Sequence, residues 1–416
     1  MKSRLSLRMP TTTAAGMLAV APILLAGACL LAGGCGASST IEPGGQGGDP
    51  GGTGGDATSG GTGGTSGGVG GTSAGMAGSG AGGTPCTPPT SGVMIDGVSR
   101  FQYGINYAWG TFASDFGNMT RGVAATKAAR LTSMMDMKAH GVDAVRWWVF
   151  PNFTGGGVSF DSSGSPTGLV GSTLADITAA LDDAAQAGIH IQFTLFSFDN
   201  FKTATMPQHN LAPIISSPTM LAALINNVVV PFVNQVNASP NKDRVSSWDV
   251  INEPEWAIAA TPTDGSDQAF TPQTTVTTVT YPVMKAFVQA VVDAIHGASD
   301  KPVTVGGAAI KWAKAWAGVG DFYTFHMYDW VNMSFPYTKS LASYGVTDKP
   351  VVLGEFPIQG LTGPPAVSYA TLVNTFYQLG YAGVMAWSFN DPKFPWSPNN
   401  MNVQSFATTH PCMFGP

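Results

Sequence analysis

In the stretch Val245-Ser246-Ser247-Trp248-Asp249-Val250-Ile251-Asn252-Glu253-Pro254, Val245–Asn252 reads as a short strand that ends in polar residues. Seven further runs of similar character recur through the chain: Phe101–Tyr107, Ala144–Val149, His190–Phe196, Val303–Gly306, Phe322–Tyr328, Val351–Glu355 and Gly383–Ser388. Between them lie Ala-rich stretches with amphipathic spacing, at Ala124–Ala139, Leu174–Ala187, Met220–Asn237, Thr280–His296 and Ala366–Gln378; that spacing predicts helices. Gly141, Gly188 and Gly380 follow three of these stretches, where a left-handed cap suits glycine. Strands that alternate with helices must be joined by parallel crossovers, and eight such strands close a barrel. Residues 87–416 are the right length for one α/β domain of that kind, a (β/α)8 TIM barrel. An open doubly wound sheet would carry a Gly-rich phosphate loop after its first strand, and Phe101-Gln102-Tyr103-Gly104-Ile105-Asn106 does not supply one.

The residues ahead of the barrel have another composition. Lys2, Arg4 and Arg8 precede an apolar stretch from Ala14 to Leu31, followed by Leu31-Ala32-Gly33-Gly34-Cys35. A charged start, an apolar middle and small residues at the end mark a secretory signal. The last four residues before and at Cys35 resemble a bacterial lipobox, so residues 1–35 are read as a lipoprotein signal with lipidation at Cys35. Ordinary cleavage or an uncleaved apolar anchor is the alternative. Residues 36–86 are rich in Gly, Ser and Thr. They cannot bury apolar area and are expected to be a disordered tether, reaching about 35–40 Å as a random coil. Cys86 and Cys412 flank the barrel. An exported domain meets oxidising conditions and its termini are often close, so a Cys86–Cys412 disulfide is expected. The protein is expected to be an exported bacterial envelope lipoprotein or a secreted monomer, with membrane contact only through Cys35.

Composition excludes other classes. The chain has 416 residues, 11% of them charged, and a net charge of −6. Without clustered positive charge it is a poor partner for nucleic acid. No Cys/His cluster has zinc spacing, and neither a metal nor a cofactor is expected.

In such a barrel the chemistry sits at the C-terminal strand ends. Those ends carry Arg146, then Asn252-Glu253, then His326 and Tyr328, then Glu355, then Trp387. Two carboxylates close apolar strands in a chain poor in charge. Such a pair in an aromatic-walled cleft suits glycosidic bond hydrolysis: one acid protonates the leaving group while the other attacks or stabilises the anomeric carbon.

The ordered set Arg146, Asn252-Glu253-Pro254, His326-x-Tyr328, Glu355 and Trp387 resembles clan A glycoside hydrolases, nearest family 5, the cellulase and β-mannanase family. The resemblance implies Glu253 as acid/base and Glu355 as nucleophile. It further implies that Asn252 bonds the sugar 2-hydroxyl, that Tyr328 donates to Glu355 and that Arg146 keeps Glu355 ionised. His326 would line the same subsite, and Trp387 would stack under the sugar. A polysaccharide substrate, a β-1,4-mannan or β-1,4-glucan, follows, cut by double displacement. Physical chemistry agrees: a guanidinium and a phenol favour a charged Glu355, whose charge raises the proton affinity of Glu253.

Many family members carry a His just past strand three. This chain has Ser197-Phe198-Asp199-Asn200-Phe201 there, which leaves Asp199, Asn200 or the more distant His209 for that contact. Glu255 reads as a surface or subsite residue. Trp109, Trp147, Trp148, Trp256, Trp312, Trp330 and Trp396 fall near strand ends and suggest an open, aromatic cleft for a polymer. A carbohydrate-binding surface protein or a transglycosylase could use the same residues.

Overall fold

All eight apolar runs form strands: β1 (Gln102–Asn106), β2 (Ala144–Trp148), β3 (His190–Ser197), β4 (Val245–Asn252), β5 (Val303–Gly307), β6 (Tyr323–His326), β7 (Val351–Glu355) and β8 (Gly383–Ala386). Neighbouring strands are parallel and close in the order β6-β7-β8-β1-β2-β3-β4-β5. This is the expected (β/α)8 TIM barrel. The computed structural model describes residues 92–410 apart from 96, 203–208 and 261–268. The signal, the Gly-rich tether, Cys35 and the Cys86–Cys412 bridge lie outside the described residues.

The strands are buried on both faces, which is why they read as apolar runs rather than alternating ones. β4 and β7 have the bounds read from the sequence. β6 and β8 are shorter, although the residue after each still bonds to the chain at the end of the neighbouring β7. Met327 donates its N–H to the Glu355 carbonyl at 2.8 Å, and Trp387 donates to the Phe356 carbonyl at 2.7 Å. At the opposite end of the barrel, the antiparallel hairpin Val93–Ile95 with Val98–Arg100 presses Val93 and Ile95 onto Ala144, Val352 and Ala382.

Helices Lys127–Ala139, Thr173–Ala187, Tyr281–His296 and Tyr369–Gln378 stand where the amphipathic spacing predicts them. Gly188 caps the second with φ at 71°, a conformation that costs other residues. The stretch expected as one helix over Met220–Asn237 is interrupted. It runs Pro218–Leu224, then a π turn at Ile225–Val229, then Val230–Ala238. Pro231 is the cause: it has no N–H, and its ring crowds the carbonyl one turn back, so the helix widens just before it. Among the described residues, Pro218–Ala238 is the one helix long and apolar enough to cross a membrane by length and composition. Leu224, Val228, Val229, Phe232, Val233 and Val236 form its buried stripe. After β5 and β6 the crossovers contain only short helical turns, Ile310–Trp316, Asp329–Ser334 and Leu341–Tyr344. A last helix, Trp396–Thr409, is clamped to β1, where the Tyr103 hydroxyl donates to the Val403 carbonyl at 2.9 Å.

Phe232 is the ring that joins this helical layer to the barrel. Its centroid lies 5.5 Å from Phe193 on β3 and 6.1 Å from Trp248 on β4, with Phe150 and Phe116 at 5.9 and 6.0 Å. Removing so central a ring leaves a cavity that rigid strands cannot close. Phe232→Ala should lower unfolding stability by about 3–5 kcal/mol in chemical denaturation, and a loss below 1 kcal/mol would contradict this packing.

Candidate active site

The mouth of the barrel is organised around one buried guanidinium. Arg146, at the end of β2, donates Nε and one Nη to Asp249 on β4 at 3.0 and 2.7 Å. It also reaches Asn252 Oδ1 at 2.8 Å, Asn106 Oδ1 at 3.0 Å and Glu355 Oε1 at 2.8 Å. A fully buried cation is tolerable only when its donors are satisfied and its charge is met. Both conditions hold here, through two carboxylates and two amides.

Glu355 ends β7. Its Oε2 accepts from the Tyr328 hydroxyl at 2.9 Å, while Oε1 takes the Arg146 bond. Glu253 follows β4 in a left-handed conformation, with φ 50° and ψ 51°. Its Oε2 accepts from the Trp256 indole at 2.8 Å, and its Oε1 is hydrogen-bonded to His326 Nδ1 at 2.8 Å. The same Nδ1 lies 3.5 Å from Glu355 Oε2. One ligand atom from each of Glu253, His326 and Glu355 lies within 4.8 Å of the others. The structure thus brings together Arg146, Asn252, Glu253, His326, Tyr328 and Glu355 in one hydrogen-bonded cluster. Three such groups could hold a metal ion, but the Arg146 guanidinium against Glu355 already supplies the positive charge and repels a second cation.

Burial dominates the titration of the cluster. It raises the Glu253 carboxyl to about 7, against the Trp256 bond and the Arg146 charge, with Asp199 adding to the rise. It lowers His326 to about 4, so the imidazole is neutral near neutral pH. Arg146 and Tyr328 do favour the charged form of Glu355, and so does His326. Burial nevertheless outweighs them and lifts this carboxyl above its ordinary range. The direct guanidinium contact goes to Glu355 rather than Glu253. Of the two, Glu355 is therefore the better-stabilised anion and Glu253 the better proton carrier.

Several sequence readings change. Glu255 is not on the surface: it is fully buried, accepting from Trp316 Nε1 at 2.7 Å and from the Ala308 N–H at 3.0 Å. The mouth is also less open than the aromatic count suggests. The Glu253 and Glu355 side chains are 4% and 0% exposed, so an incoming sugar has to displace their cover. Trp147 and Trp148 are the last residues of β2 and are packed inside, as are Trp312 in the turn after β5 and Trp396 at the start of the last helix; Trp109, Trp256 and Trp330 are half-buried. Trp387 is fully buried, with its ring 5.7 Å from Trp109 and 5.6 Å from Trp148 and its indole N–H on Asp391. Of the candidates past β3, Asn200 accepts the Ser197 N–H and Asp199 pairs with Lys202, while His209 stacks on Phe160.

Residues not singled out from the sequence complete the site. Asp249 anchors Arg146 and also accepts from Thr194 Oγ1 and the Gly306 N–H. A charge inside a buried strand always needs a partner, and that signal was available. Trp256, read from the sequence as a cleft aromatic, instead gives its indole N–H to Glu253. Three buried donors or acceptors, Asn252 Nδ2, His326 Nε2 and Trp148 Nε1, have no protein partner. Unsatisfied polar atoms are costly, and at a site they mark where a ligand's hydroxyls would bond.

No family model matches the chain. It is 27% identical over 343 residues to a mannan endo-1,4-β-mannosidase of Cryptopygus antarcticus, covering 72% of this chain and 83% of that one. It is 25% identical over 330 residues to a protein of the same name from Mytilus edulis, covering 71% and 85%. Among solved structures it is similar to the β-mannanase of the blue mussel Mytilus edulis, with a TM-score of 0.64, 22% identity and coverage of 78% and 97%. The endo-1,4-β-mannanase of Eisenia fetida gives a TM-score of 0.63 at 23% identity, with coverage of 76% and 93%. These likenesses, together with the geometry of the site, support a clan A glycoside hydrolase, family 5-like.

For this glycoside hydrolase the raised Glu253 sets a pH limb. Its carboxyl lies above the ordinary value, so it stays protonated up to about pH 7 and loses its acid form above that. With polysaccharide, kcat/KM should fall as pH rises through about 7. A limb centred near the ordinary carboxylate value of about 4.3 would rule out this assignment.

Proposed function

We propose that the enzyme is a retaining endo-β-1,4-mannanase. The observation that carries the retaining mechanism is the approach of the two carboxyls, with one oxygen of each within 4.8 Å. Retaining glycosidases hold their pair about 5–5.5 Å apart, whereas inverting ones leave about 6.5–9.5 Å for a water. In the first step Glu355 attacks the anomeric carbon, forming a glycosyl ester as the glycosidic C–O bond breaks, and the Glu253 proton goes to the departing oxygen. The charge on Glu355 is then gone, so the proton affinity of Glu253 falls, and the carboxylate left by the first step is a competent base toward water. It takes a proton from water, whose oxygen bonds to the anomeric carbon while Glu355 leaves.

Mannan is preferred to glucan because both curated relatives, which span most of the barrel, are named for mannan. Asn252 is suited to the 2-hydroxyl: its Oδ1 is occupied by Arg146, which turns Nδ2 toward a ligand as a donor. The half-buried Trp109, against Trp387, is the member of that aromatic group with a face left for a sugar. We also propose export through residues 1–35, lipidation at Cys35 and tethering through residues 36–86, supported by the order of charge, apolar stretch and small residues. Cys35→Ser should move the protein from the membrane fraction to the soluble one; unchanged fractionation would leave ordinary cleavage or an uncleaved anchor.

The function is tested by reducing-sugar release from mannan, a cellulose derivative, xylan and mixed-linkage glucan, with mannan expected to dominate. Glu355→Ala should lose nearly all activity and regain turnover with azide, giving the inverted glycosyl azide. Glu253→Ala should keep the first step only on substrates with good leaving groups. If wild type and both variants bind polysaccharide equally and release nothing, the chain is a binding protein. Products longer than the starting oligosaccharide would indicate transglycosylation.

A further inference from the structure

Glu255 lies two residues past the acid/base and is as deeply buried as the catalytic pair, yet no step of hydrolysis uses it. Its surroundings are built for a carboxylate. Oε1 accepts from the Trp316 indole and Oε2 from the Ala308 N–H, so both oxygens face donors. Gly307 at the end of β5 is what lets it in: a Cβ there would stand 3.1 Å from Glu255 Oε1, tighter than ordinary contact, with Phe325 and Thr324 closing the other sides. The short helical turn Pro254–Ala257 is thereby fastened to β5 and to Ile310–Trp316.

The residue on the other side of Pro254 is the one that needs holding. Glu253 is one of two non-glycine residues with positive φ among those described, the other being Ala113. Such a conformation costs about 1–3 kcal/mol and persists only when its surroundings over-determine it. The Glu253 N–H donates to the Gly306 carbonyl at 2.6 Å, and its own carbonyl accepts from the Trp256 N–H at 3.2 Å. The first bond depends on the Pro254–Ala257 turn staying against β5, and the Glu255 carboxylate is the side chain that ties it there.

We propose that Glu255 is a positioning residue for the acid/base, pinning the loop after β4 to Ala308 and Trp316 so that Glu253 keeps its left-handed conformation and its bond to His326. The proposal rests on the glycosidase reading of Glu253. Several charges act on this loop. Glu253 faces His326 from β6, Glu355 from β7, Arg146 from β2 and Asp199 from the segment after β3. Glu255 faces Lys311 and Glu253. Burial lifts Glu255 to about 7 as well, against its bonds from Trp316 and Ala308 and with Glu253 adding to the rise, so the two carboxyls resist ionising together and Glu255 opposes loss of the Glu253 proton.

The test compares Glu255→Gln and Glu255→Ala with wild type on mannan and on an aryl β-mannoside with a strongly acidic phenol as leaving group. The aryl substrate needs no proton for its first step, so mispositioning the acid spares it. Glu255→Ala should lose about 100-fold in kcat on mannan while the pre-steady-state burst of phenol stays within about threefold. Glu255→Gln keeps the shape and removes the charge. It should move the alkaline limb on mannan to lower pH by about half a unit or more. A residue that merely stabilises the fold would depress both substrates together and leave the limb in place. That outcome overturns the proposal, as does a wild-type ratio of the two activities in Glu255→Gln. Should Glu255→Ala fail to fold, the Gln variant decides alone. A wild type inactive on both substrates would instead overturn the glycosidase reading.

Discussion

A guanidinium sealed inside a barrel sets the terms for everything around it. Arg146 has no exposure, and a buried ion without partners is among the costliest things a fold can hold. The solution is spread over three other strands. Asp249 on β4 takes two of its donors, Glu355 on β7 a third contact, and Asn106 and Asn252 at the ends of β1 and β4 the rest. Each partner is held in turn. Asn106 donates to the Gly354 carbonyl at 2.8 Å, so β1 and β7 are tied beside the carboxyl that β7 presents. The position of Glu355 is thus a by-product of neutralising one cation, and the same cation stabilises its charge.

The proton inventory follows from unequal access to that charge. Glu253 and Glu355 are both buried and both displaced upward, because desolvation penalises any anion in such a place. What separates them is the company each keeps. Glu355 has the guanidinium and a phenol; Glu253 has an indole and a neutral imidazole, neither of which carries charge. His326 stays neutral because burial and Arg146 oppose its protonation more than the carboxylates promote it. A charged imidazole between two carboxyls would have favoured the anionic form of both. Its neutrality is therefore a condition for Glu253 to keep a proton.

Much of this was legible in the sequence. Strand ends are positions where a chain leaves an apolar environment, so Arg146, Asn252, Glu253, His326, Tyr328 and Glu355 stood out as polar residues closing apolar runs. The eight strands were legible for the same reason, and β4 and β7 to the residue. Asp249 and Asn106 were harder, because a polar residue inside a buried strand makes sense only once its partner is known. Glu255 was misleading: two residues past a strand, a glutamate usually faces water, and nothing local announces that Ala308 and Trp316 converge on it from about fifty residues away. The aromatic rim failed for a related reason. Proximity to a strand end does not say whether a side chain faces the mouth or the packed interior, and Trp147, Trp148, Trp312 and Trp396 face the interior. The helix Trp396–Thr409 went unseen because only Trp396, Val403 and Phe406 of its residues are buried, too sparse a stripe to show as a period.

β5 contributes no catalytic side chain, yet it is where the two halves of the site meet. Gly306 and Gly307 end it side by side. A Cβ on Gly306 would stand 2.7 Å from an Arg146 Nη and 2.8 Å from Asp249, and one on Gly307 would crowd Glu255. The first glycine therefore makes room for the charge that serves Glu355, and the second for the carboxylate that anchors the loop of Glu253. Backbone bonds fix the same strand end from both sides: Gly306 donates its N–H to Asp249 and accepts the N–H of Glu253. A shift of β5 by a few tenths of an ångström would disturb both carboxyls at once. Two adjacent residues with no side chains thus help to hold two carboxyls, 102 positions apart in the chain, on either side of one strand end.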